Sequence, residues 1–174
     1  METLFDCRPL PEVTPLKNKK ATAILLAPIY SATHGKYNSY MRYVCHYGYF
    51  KLIGDEQTAK IMMGIALCEK EHVNCFEQIL NNLGEGEIMK RENIASEESF
   101  CSPNIFSGKT PERILTDDVA QKMVALFFYK KVQSSNLEKS LKSLLLCMEN
   151  DEKLHLNKLK DRLNEIKKMC VEQK

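Results

Sequence analysis

Met148-Glu149-Asn150-Asp151-Glu152-Lys153-Leu154-His155 is the stretch that decides how this chain is read. It ends in Glu-x-x-His, and the same unit recurs at Glu69-Lys70-Glu71-His72. A separation of three residues brings both side chains out on one face of a helix. Each unit also lies on an apolar stripe. Ile61, Ile65, Phe76, Ile79 and Leu83 run through the first, and Leu137, Leu141, Leu144, Met148, Leu159, Leu163 and Ile166 through the second. A charge on such a stripe faces a core, where it is costly unless paired or bound to metal. One Glu-x-x-His on a polar helix reads as chance or a surface ion pair; two copies, each inside a seam, do not.

Outward from these units the pattern is helical throughout. A first helical stretch spans 20–52, with Ile29, Ala32, Tyr40, Tyr43, Tyr47 and Phe50 at steps of three, four or multiples of them. Pro28 lies inside it, and the sequence leaves open whether the helix starts there or kinks. Gly54-Asp55 breaks the pattern, and a second helix runs over 55–83 to a stop at Gly84. Residues 85–113 are polar and without period, and read as a long crossover. The third helix begins at Pro111 or Thr116 and ends at Gln133, with Leu115, Val119, Lys122, Leu126, Tyr129 and Gln133 on one stripe. Asn136 is the expected N-cap of a fourth helix over 137–169. No strand pattern competes. The expected fold is all-α: an irregular arm over 1–19, then one four-helix bundle over 20–174 with the crossover between its second and third helices.

Composition narrows the function classes. The 174 residues carry a net charge of +2, which points to neither a nucleic acid nor a membrane partner. Seven cysteines without a C-x-x-C pair argue against a disulfide framework, a zinc ribbon and a rubredoxin-type iron site. Most lie in helical patterns, where a reduced cysteine packs as a small hydrophobe. With no signal-like N-terminus and no long apolar run, a soluble cytoplasmic protein is expected.

The phrases around the two units resemble the ferritin-like superfamily, and most of all the small rubrerythrin-type and bacterioferritin-like bundles. Ile29-Tyr30-Ser31-Ala32 with the aromatic run to Phe50, Gly64 to His72, and Met148 to His155 carry the likeness, over about residues 20–165. The resemblance implies a di-metal site with six protein ligands: the two Glu-His pairs, plus one Glu each from the first and third helices. On this chain it assigns Glu69, His72, Glu152 and His155 as metal ligands. At the two remaining positions, aligned through Tyr30, Tyr43 and Tyr129, stand Lys36 and Lys122.

The loss of carboxylates is visible without any alignment. Neither 13–54 nor 119–137 contains an Asp or Glu. The change is also matched: Lys36, Glu69 and His72 in one half follow the same order as Lys122, Glu152 and His155 in the other. Two ammonium groups would neutralise two facing carboxylates, and a charged lysine repels a divalent ion. The expected site is therefore a degenerate di-metal centre in which Lys36 and Lys122 form a buried ion-pair network with Glu69 and Glu152. It has no cofactor and is non-catalytic, with the histidines as hydrogen-bond partners.

Two other readings compete. In one, iron or manganese is bound by Glu69, His72, Glu152 and His155, and the protein is a rubrerythrin-like oxidoreductase, peroxidase or ferroxidase. In the other, the basic, tyrosine-rich first helix (Lys36, Arg42, Lys51, His34 and His46 among its residues) holds a polyanion or nucleic acid, against which its tyrosines read better as core. The excess apolar surface of that helix leads to a homodimer as the expected assembly.

Overall fold

A computed structural model describes residues 4–6, 8–14, 16, 19–31, 34–83 and 110–172. Five helices follow in order: α1 (Lys19–Ser31), α2 (Lys36–Leu52), α3 (Glu56–Leu83), α4 (Pro111–Gln133) and α5 (Lys139–Glu172). The four long ones, α2–α5, make an all-α four-helix bundle of two hairpins, α2 with α3 and α4 with α5. α1 packs against α2, α3 and α4 at one end. Among the described residues there is no strand. The expected crossover falls mainly on 84–109, outside the described residues.

Local chemistry explains the ends. Pro28 sits inside α1, so the first helical stretch does not start at it. Its missing N–H removes a rung, and the helix stops three residues later. The chain restarts at Lys36 behind an extended Gly35, so the expected single helix over 20–52 is two. Asp55 caps α3, accepting from the Thr58 N–H at 3.0 Å. Thr110 caps α4, accepting from Arg113 N at 3.3 Å ahead of Pro111. The cap expected at Asn136 is not used. Leu137 is pulled into the core instead, and α5 starts two residues later than expected, at Lys139.

The core is divided. One apolar cluster gathers Leu26, Phe76, Leu80, Leu141 and Leu145 near α1, and a second gathers Phe50, Met62, Ile65, Leu115 and Leu159 at the other end. Between them lies a layer of fully buried charge: Lys36, Glu69, His72, Lys122, Asp151, Glu152 and His155.

The cysteines only partly follow expectation. Cys45, Cys68 and Cys75 are free thiols, and Cys147 is disulfide-bonded. No helix of the described residues is long and apolar enough to cross a membrane.

Candidate functional site

The helical spacing read from the sequence brings six of the expected residues to one place. Glu69 and His72 project from the middle of α3, Glu152 and His155 from the middle of α5, and Lys122 from α4. Lys36 is the first residue of α2, where the helix dipole disfavours a cation, and only strongly anionic neighbours offset that.

The charges alternate around a ring. Lys122 Nζ donates to Glu69 Oε1 and, at 2.8 Å, to Glu152 Oε2. Lys36 Nζ donates to Glu152 Oε1 and lies 3.1 Å from Glu69 Oε2. Each ammonium thus bridges both carboxylates, and each carboxylate divides its oxygens between both lysines. The ring carries two positive and two negative charges and sums to zero. Burial works against every charged form here, but the mutual attraction outweighs it. It holds both lysines above their ordinary value and both glutamates below theirs. An aromatic ring backs each lysine in a crossed pattern. Lys36 Nζ lies 5.2 Å from the Tyr129 centroid and Lys122 Nζ lies 4.9 Å from that of Tyr43. Burial pushes both phenols well up, so they stay neutral.

The histidines differ in their outer partners. His155 Nδ1 accepts from Lys122 Nζ at 3.3 Å, which leaves Nε2–H to donate to the Leu4 carbonyl at 2.8 Å. His72 Nε2 lies 2.8 Å from Asp151 Oδ2. Asp151 is ionised, its carboxyl held down to about 2: burial opposes this, but the bonds from His72 and the Asp6 N–H prevail. His72 therefore donates from Nε2, and burial together with Lys36 lowers its own value, keeping the ring neutral. Its Nδ1 points at the ring, 4.0 Å from Glu69 Oε2 and 3.9 Å from Glu152 Oε1, with no hydrogen-bond partner among the described residues.

Three participants were not foreseen. The N-terminal arm, read as irregular, crosses the layer: Leu4 receives His155, the Asp6 N–H reaches Asp151 Oδ1, and Arg8 pairs with Asp151 at 3.2 Å and Glu71 at 3.0 Å. Asp151 was quoted in the helical phrase but given no role. His46 and Asp118 form a separate buried pair at 2.9 Å between α2 and α4. An Asp near a helix start reads as a dipole partner, which hides such a bond. The basic face expected on the first helix loses Lys36, Arg42 and His46 to the interior. Lys51 pairs with Glu56 at 2.6 Å.

With this geometry in place, the sequence model of the rubrerythrin family matches residues 31–163. The chain belongs to the rubrerythrin family. No curated protein and no solved structure matches it. The match spans α2–α4, α5 as far as Leu163 and the whole lysine-glutamate ring, but not the arm at 4–16 that closes it. Rubrerythrin-type bundles are expected to hold a pair of metal ions, and part of that ligand set persists, with donor atoms of Glu69, His72 and Glu152 within 4.8 Å of one another. The set does not fit two divalent ions. Every oxygen of Glu69 and Glu152 faces an ammonium group, and the positions of the two further carboxylates are those of the lysines themselves.

Proposed function

We propose that this rubrerythrin-family bundle works without a di-metal centre, its Lys36 and Lys122 ammonium groups taking the electrostatic place of the two ions. One observation carries the reading: each Nζ engages both Glu69 and Glu152, and the ring is neutral as it stands. Divalent ions would have to displace two buried cations and leave them without anions, at a cost of several kcal/mol per charge. With no redox centre, the function is that of a structural or binding protein rather than an oxidoreductase. A homodimer belongs to this proposal, supported by the exposed Met123 and Phe127 on the outer side of α4.

The test is metal content. The protein purified from iron- and manganese-rich medium should carry well under one equivalent of either, whereas about two equivalents would overturn the proposal. The double substitution Lys36→Glu with Lys122→Glu should restore six ligands and bring about two ions into the bundle.

A further inference from the structure

On the outer side of His72, away from the lysine ring, a second set of ligand atoms converges. Cys68 and His72 lie one helical turn apart on α3, and Asp151 faces them from α5. Cys68 Sγ is 3.6 Å from His72 Nε2 and 3.5 Å from Asp151 Oδ2, and all three side chains are fully buried. Bond lengths of about 2.3 Å to sulfur and about 2.0–2.1 Å to nitrogen and oxygen give a tetrahedral zinc ion S–N and S–O edges of about 3.6 Å and an N–O edge of about 3.3 Å. Both sulfur edges are already at that spacing. Only the hydrogen-bonded His72–Asp151 edge, 2.8 Å, must open, by roughly half an ångström.

A cation lies against two of the three atoms. Arg8 places NH2 at 3.5 Å from Cys68 Sγ and NH1 at 3.2 Å from Asp151 Oδ2, and also pairs with the half-exposed Glu71. The guanidinium comes from the arm rather than from the bundle, so it can withdraw onto Glu71 without moving a helix.

We propose that Cys68 Sγ, His72 Nε2 and Asp151 Oδ2 form a site for one zinc ion, with Arg8 as its removable plug. A thiolate, a neutral imidazole and a carboxylate are a borderline-soft donor set that suits zinc rather than the harder manganese or magnesium. The charges balance: the ion with one thiolate and one carboxylate is neutral, and Arg8 keeps Glu71. Binding releases the Cys68 thiol proton to solvent. It also moves the imidazole proton from Nε2 to Nδ1.

That second transfer is what distinguishes this cluster from a chance grouping. His72 Nδ1 is a buried acceptor without a hydrogen-bond partner among the described residues, and it lies 4.0 Å from Glu69 Oε2, the oxygen that Lys36 Nζ approaches to 3.1 Å. With the proton on Nδ1, His72 turns a donor toward Glu69 Oε2, which a shift of about 1 Å would bring within hydrogen-bond distance. The ion would thus turn the unpartnered nitrogen of His72 into a donor aimed at the neighbouring ring while leaving both lysines in place.

Cobalt(II), added to the purified full-length chain, tests this. The expected result is about one equivalent bound, displaced by zinc(II), with a thiolate-to-cobalt absorption in the near ultraviolet. Arg8→Gln, which keeps a polar side chain but removes the plug's charge and reach, should tighten binding by about tenfold. Cys68→Ser should abolish the absorption. Absence of the band from both the unsubstituted chain and Arg8→Gln would overturn the site. So would a band that survives Cys68→Ser, since that would place the ion on another cysteine of the chain. Metal held by the glutamates of the ring would give no sulfur band and would survive Cys68→Ser, so failure of the reading without a di-metal centre is read separately.

Discussion

The two halves of the bundle carry the same three residues in the same order and use them differently. On α2–α3, Lys36 and Glu69 join the ring, and His72 turns its outer nitrogen to the Asp151 side chain. On α4–α5, Lys122 and Glu152 join the same ring, but His155 turns its outer nitrogen to a backbone carbonyl of the arm. The reason lies one residue before each glutamate. Asp151 precedes Glu152 and offers His72 a carboxylate; Cys68 precedes Glu69 and offers His155 nothing, so Leu4 supplies the acceptor. Charge neutrality inside the ring is symmetric, whereas support from outside it is not. The half without its own acceptor depends on a segment outside the family match.

That contrast can be broken from its centre outward. Lys122→Met should cost the most, about 3–5 kcal/mol in denaturant unfolding, because it leaves two buried carboxylates sharing one cation. Lys36→Met should cost less, since Lys36 lacks a histidine partner and opposes the α2 dipole; equal losses would mean that the outer differences do not reach the ring. Removing residues 1–5, which takes away Leu4 but leaves Asp6 and Arg8 beside Asp151, should cost about 1–3 kcal/mol. It leaves the His155 N–H without its acceptor, so faster hydrogen exchange should appear around His155 before it appears around His72.

The pH dependence separates the halves again. His72 is lowered below its ordinary 6.5, so its contribution is complete above that value and is lost as pH falls through the lowered one. Glu69, Glu152 and Asp151 are lowered too, so stability falls further as pH drops below their ordinary 4.5 and 3.8. The lysines are raised, so their contribution is complete below 10.5 and disappears only as pH climbs through the raised values. Urea titrations should therefore show a plateau from neutral to moderately alkaline pH, with a first acid-side slope that His72→Gln removes. The smallest effects are at the caps. Thr110→Ala should cost about 1 kcal/mol, and Asp55→Ala somewhat more, because Asp55 also receives Arg162 NH2 at 3.0 Å.

Much of this was legible in the sequence where periodicity and charge act together. The Glu-x-x-His units on apolar stripes located the buried layer, and the acid-free stretches around Lys36 and Lys122 identified what fills it. The break after Ser31 was harder to see, because Pro28 in a helix is compatible with a start, a kink or an end, and packing of α1 on α3 and α4 decides among them. Asn136 is a good cap by chemistry, but burying Leu137 outweighs the bond it would make. The arm's part was illegible in principle. Leu4 acts through its carbonyl, which every residue possesses, and no side-chain pattern advertises it.

The alternating ring also bears on how the helices are allowed to slide. The leucines of the two apolar clusters are nearly interchangeable, and displacing α5 by one turn would exchange one for another at little loss. The polar layer forbids it. Such a slip would put Met148 or Leu156 roughly where Glu152 stands and leave two ammonium groups facing one carboxylate. One layer of four charges thereby sets the vernier for the whole bundle, admitting a single axial alignment of α2, α3, α4 and α5.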